Sequence, residues 1–130
     1  MRELKFRVWD VLNREMVYPT NRISTCFSIK LNGDIVDGNG CSYDETYPVQ
    51  QYTGLKDKNG KEVYEGDIIK YSRFFRDERE PTDLISFVRF EECKFGFDLK
   101  GFNNCFYDLS FEDVRGFEVI GNIYENPNLI

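Results

Sequence analysis

Apolar and polar residues alternate along much of this chain with a period of two, which predicts strands exposed on one face. Leu4, Phe6 and Val8 alternate with Lys5 and Arg7; Asp10 to Glu15 reads as a polar turn, and the chain returns at Met16–Tyr18 until Pro19 stops it. The cleanest run is Ile23, Thr25, Phe27, Ile29 and Leu31, alternating with Ser24, Cys26, Ser28 and Lys30. Asn32-Gly33 follows at once, then Asp34-Ile35-Val36, which predicts a hairpin because Asn-Gly supplies the positive φ angles of a tight turn. Tyr47–Tyr52 reads as linker and strand. From Thr53 to Asp67 the chain is polar, with Asn59-Gly60 as a second turn. Further strands are predicted at Ile68–Tyr71, Leu84–Phe90, Phe95–Leu99, Cys105–Leu109 and Phe117–Tyr124, with a charged loop or short helical turn over 73–83. Asp108–Val114 reads alternatively as the start of a helical turn, and Pro127 as the final stop. About eight or nine short strands separated by turns favour a small barrel or sandwich.

Composition agrees. Among 130 residues there are 12 Phe, 8 Tyr and 1 Trp, but no alanine. Alanine is the strongest helix former, whereas aromatic and β-branched side chains suit a pleated surface. Trp9 and the Phe95, Phe97, Phe102, Phe106, Phe111 and Phe117 group are expected mostly in the core. Histidine is absent too, which excludes Ser-His and Cys-His nucleophile pairs, an imidazole base, HExxH sites and Cys₂His₂ fingers.

The net charge of −6 is uneven: residues 81–130 carry 4 basic and 9 acidic groups, whereas 51–80 carry 7 of each. The last part should repel phosphate backbones. Cys26, Cys41, Cys93 and Cys105 form no CxxC pair and are expected as packed thiols. Met1 runs straight into charged, alternating sequence, so neither a signal peptide nor a membrane span is expected, and a reducing cytoplasm is the simplest location.

Three constellations carry candidate chemistry. Asp57-Lys58-Asn59-Gly60 resembles part of a calcium loop, but Lys56, Lys58 and Lys61 intrude, and a hairpin turn is the better reading. Lys70, Arg73, Phe74, Phe75 and Arg76 place basic groups beside aromatics, as a single-strand nucleic-acid site does; Asp77, Glu78 and Glu80 cancel most of that charge, which favours a solvated loop. Glu91-Glu92, Glu112-Asp113 and Asp98 are carboxylates without an evident cleft to separate their pKa values, and read as surface groups.

Three segments are distinctive together: Met1–Asp10 (MRELKFRVWD), Gln51–Ile69 (QYTGLKDKNGKEVYEGDII) and Glu118–Leu129 (EVIGNIYENPNL). In this order they resemble the YopX family of phage and prophage proteins. The resemblance implies a phage or prophage origin, a bacterial host cytoplasm and a mainly β fold, and it implies no activity. Within these segments Gly54, Gly60, Gly66, Asp67, Gly121, Asn126 and Pro127 are the structural motif residues. Gly66 before Asp67 supplies a backbone conformation closed to residues with a Cβ, and a Gly-Asp turn feeding Ile-Ile begins many SH3-like barrels. Gly121 inside an apolar strand suggests a bulge or a close backbone approach, and Asn126-Pro127 a stop.

The expected architecture is mainly β with little helix: a small N-terminal β unit over residues 1–48, then an SH3-like or related small β-barrel over 49–130, the two conceivably one continuous domain. The expected role is a non-catalytic accessory protein that binds a phage or host protein and self-associates, needing no cofactor or metal. A nucleic-acid module acting through Lys70 to Arg76 is the runner-up. A carboxylate-based, metal-assisted enzyme ranks third.

Overall fold

The computed structural model describes residues 3–18, 27–29, 35–37, 47–73, 79–91, 94–99, 105–108 and 116–130. Those residues form twelve strands and one short 3₁₀ turn, so the fold is mainly β, as its alternation and composition predict.

Two units are separable. The first is Leu4–Gln51. Its strands are β1 (Phe6–Asp10), β2 (Glu15–Val17), β3 (Phe27–Ile29), β4 (Ile35–Asp37) and the start of β5 (Val49–Lys56). β1 lies between β2 and β5, with Val8 opposite Val17 on one side and Val49 on the other. Arg7, Val8 and Trp9 are buried. The Arg7 guanidinium donates to Gln50 Oε1 at 2.7 Å and to the Tyr18 hydroxyl at 3.3 Å, which meets the polar demand of a buried cation. β3 and β4 pair antiparallel, with Ser28 opposite Val36, as the predicted hairpin requires. Its Asn32-Gly33 turn lies outside the described residues.

The hairpin between β1 and β2 is closed by Asp10. Its carboxylate accepts the Leu12 and Asn13 N–H groups (2.9 and 3.1 Å) and the Asn13 side-chain amide (2.8 Å). These bonds, the Asn13 N–H foremost, hold the Asp10 pKa below its ordinary value. Arg14 takes up the left-handed conformation (φ 56°) that closes the turn.

The second unit runs from Tyr52 to Ile130. The rest of β5 pairs with β6 (Glu62–Tyr64). β7 (Asp67–Arg73) lies between β8 (Thr82–Phe87) and β12 (Glu118–Asn122). β10 (Lys94–Leu99) lies between β9 (Arg89–Glu91) and β11 (Cys105–Asp108). Every strand pair among the described residues is antiparallel. Val63, Ile69, Tyr71, Val88, Phe97, Phe117 and Val119 form the core, with Leu84 and Phe95 packed against it. The Tyr71 and Phe97 rings lie 5.2 Å apart. Burying side chains of this size contributes about 1.5–3 kcal/mol each, so the alternating aromatics carry much of the stability.

Three local differences from the sequence reading have physical reasons. The polar stretch from Thr53 contains the end of β5 and all of β6: Gly54, at φ +86°, allows a register shift between Tyr52 and Lys56, and Val63 and Tyr64 are the buried anchors of β6. The predicted Leu84–Phe90 strand is two strands, divided at Val88, whose N–H and C=O bond to Asp67 and Gly66 instead. The last strand ends at Asn122; Pro127 opens a 3₁₀ turn, Pro127–Leu129, a position where proline's missing N–H costs nothing. The charged stretch at 73–83 already includes the end of β7 and the start of β8.

Candidate functional site

The distinctive glycines, aspartates and asparagines lie at joints between strands. Asp57 is buried just after β5. One carboxylate oxygen accepts the N–H groups of Asn59 (2.8 Å) and Lys61 (2.9 Å), and the other accepts Val119 N–H (3.0 Å) from β12. Lys58 N–H donates to the Phe117 carbonyl at 3.1 Å, so the turn is bound to the last strand by both backbone and side chain. Burial alone would raise the Asp57 pKa. The N–H donors of Val119, Lys61 and Asn59, with the Lys61 charge, outweigh burial and hold it below the ordinary value.

A second joint centres on Gly66 and Asp67. Gly66 sits at φ +85°, where a side chain is strained. Its N–H donates to the Val88 carbonyl (2.7 Å), and its carbonyl accepts Ile123 N–H (2.9 Å). Asp67, fully buried, accepts Tyr64 N–H at 2.8 Å and the Asn122 amide at 3.4 Å. At the third joint, β12 is bulged between Val119 and Gly121. A Cβ on Gly121 would stand 2.6 Å from Asn126 Oδ1, the atom that accepts Asn122 N–H at 3.2 Å. Together these joints tie β6, β7 and β12 of the second unit to one another.

Of the basic and aromatic stretch, Lys70 is exposed on β7 with its ammonium 3.1 Å from Asp83 Oδ2. The Ser72 hydroxyl donates to the other Asp83 oxygen at 2.6 Å. That hydroxyl first, then Lys70, lowers the Asp83 pKa. Between them, Tyr71 points into the core. Arg73 ends β7, whereas Phe74, Phe75 and Arg76 lie outside the described residues.

The weighed carboxylates divide similarly. Asp98 is held by Arg89 through two bonds of 2.8 Å, the paired geometry in which guanidinium and carboxylate bind best. Glu91 lies 2.8 Å from Arg89 Nε, off the N–H direction, so that contact is electrostatic. Glu92, Glu112 and Asp113, with Cys26, Cys41 and Cys93, lie outside the described residues. Among the described residues no three Cys, Asp or Glu side chains are grouped as a metal site would need.

One surface was not foreseen from the sequence. On one face of the β9–β10–β11 sheet, Arg89 lies 5.0 Å from the Phe106 ring centre and Lys94 lies 5.6 Å from it, both within cation–π range. On the other face, Phe90 pairs across the strands with Phe95, edge to face at 5.1 Å. Phe95 packs on the core, but Phe90 is 54% exposed. β9 is the end strand of its sheet. A half-exposed aromatic thus stands on the end strand of its sheet among the described residues. Among the described residues Leu4, Ile130 and, at the tip of the β1–β2 turn, Val11 and Leu12 are exposed apolar side chains as well. The available sequence signal for the first surface was Arg89-Phe90-Glu91, an aromatic flanked by opposite charges, where a buried strand would show apolar neighbours.

Short antiparallel strands joined at Gly-Asp and Gly-Asn turns, with an aromatic residue on an end strand, define a small, mainly β protein. The YopX protein family model matches residues 5–130, and the chain belongs to that family. Protein EF1440 from Enterococcus faecalis, known from a crystal structure, is similar at 30% identity and TM-score 0.60, over 99% of each chain. YopX from Bacillus subtilis, also a crystal structure, is similar at 22% identity and TM-score 0.66, over 100% of this chain and 99% of that one. Comparison with curated proteins finds no match. No helix among the described residues is long and apolar enough to cross a membrane.

Proposed function

We propose that this chain is a phage- or prophage-encoded accessory protein of the bacterial cytoplasm that works as a non-catalytic protein-interaction module. The observation that carries this reading is Phe90: a large aromatic, held by Phe95 and by strand pairing, yet left exposed on an end strand. Aromatic anchors of this kind dominate protein interfaces, and strand edges present unpaired backbone groups to a partner. Membership of the YopX family supports the phage origin, and the likeness to proteins of two bacteria accords with a bacterial host. The SH3-like description fits the second unit by analogy and adds nothing about binding.

The test is affinity purification of the tagged protein from infected or prophage-bearing cells, with and without nuclease, followed by mass spectrometry. A specific protein retained after nuclease supports the reading. Recovery that collapses with nuclease transfers the role to nucleic acid and to the Lys70–Arg76 stretch. Retention of no macromolecule rejects both.

A further inference from the structure

The end strand β9 is self-complementary, and we infer that a second copy of this chain pairs with it, antiparallel about a two-fold axis through Phe90. The inference rests on the interaction reading above and names the partner of that surface.

In an antiparallel pair, successive residues send their N–H and C=O groups to opposite edges of the strand. Val88 bonds to Asp67 and Gly66, away from β10. Two residues on, the N–H and C=O of Phe90 therefore also point away from β10, toward the open edge. The neighbouring segment turns away at Glu65-Gly66, and among the described residues no backbone bond continues the cover beyond Val88.

A two-fold axis beside Phe90 sets that residue opposite itself, with its N–H and C=O exchanging two hydrogen bonds with the copy. The same register sets Arg89 opposite Glu91 of the second copy, and Glu91 opposite its Arg89. Like charges never face each other, which is the requirement of an isologous contact. In the single chain Glu91 is half exposed, whereas the Arg89 guanidinium stays paired with Asp98, so the charges across the axis attract without a new direct ion pair. The opposite face brings the two Phe90 rings together beside their Phe95 supports, removing the exposed ring from water. A register shifted by two residues would set Arg89 opposite Arg89, or Glu91 opposite Glu91, and so bring like charges together. The short strand, bounded by the Val88 bonds at one end, keeps the contact small and the association weak and concentration-dependent.

Sedimentation velocity on the full chain, across a concentration series and at low and high salt, tests this. The wild type shifts from monomer to dimer as concentration rises, and salt weakens the dimer. Phe90→Ser and Glu91→Lys each weaken dimerisation by about ten-fold or more, since each symmetric contact is lost twice. Both positions are exposed, so circular dichroism should show unchanged folds. A dimer insensitive to both substitutions overturns the inference. So does a wild-type monomer at every concentration; if that monomer retains a different protein through Phe90, the interaction reading survives alone, and if it retains nothing, both fail.

Discussion

Asp57 shows how much a single carboxylate can organise. It accepts three backbone N–H groups, one of them 62 positions along the chain. In Asp57→Asn an amide N–H₂ meets at least one of these donors, leaving it unsatisfied, and unfolding stability should fall by about 2–3 kcal/mol in urea titration. The pH dependence follows from the depressed pKa. The unfolded chain binds the Asp57 proton more tightly than the folded chain, so stability rises with pH across this window. It is fully present above the ordinary value of 3.8 and lost as pH falls through the lower folded value. Asp57→Asn should flatten the acid side of the stability profile without abolishing its slope, because Asp10 and Asp83 titrate low as well. Gly121 makes a second case. Gly121→Ala drives a Cβ against Asn126 and should cost about 1–3 kcal/mol, as overpacking does. In an Asn126→Gly background the added cost should shrink, and additive losses in the double-mutant cycle would show that the two do not meet. The sequence marks Gly121 as unusual, but not Asn126 as its neighbour, because that contact depends on where the chain turns after β12.

At the scale of elements, strands bounded by clear alternation were legible. β1, β3, β7 and β10 fall where apolar residues recur every second position, and Asn59-Gly60 closes a turn with Gly60 at φ +82°. β6 was not legible, since its three residues offer only Val63 and Tyr64 as buried groups amid polar neighbours. The division between β8 and β9 was hidden for another reason: it arises from bonds of Val88 to a turn over twenty residues earlier, not from its neighbours. The same distinction governs what substitutions do. Phe97 and Phe90 are both aromatics on adjacent strands, but Phe97 is fully buried against Tyr71. Phe97→Ala should cost about 3–5 kcal/mol. Phe90→Ser should leave the thermal midpoint within a few degrees of wild type, since surface changes usually shift stability by about 0.5 kcal/mol or less. Differential scanning calorimetry on the two variants checks both values.

For the whole molecule, the account divides the chain's residues by task. Those that carry the family resemblance, Asp57, Gly66, Asp67, Gly121 and Asn126 among them, hold strand to strand. The proposed contact lies instead in the stretch between the second and third of those segments, at Arg89-Phe90-Glu91, where the flanking charges are a local sign of exposure but the same alternation also fits a core phenylalanine. The most direct test of this division measures partner retention and unfolding stability together for two variants, Asp57→Asn and Phe90→Ser, with retention assayed at a temperature where both remain folded. The account predicts that Asp57→Asn loses stability and keeps the bound protein, whereas Phe90→Ser keeps stability and releases it. Retention by Phe90→Ser equal to that of the wild type would contradict it.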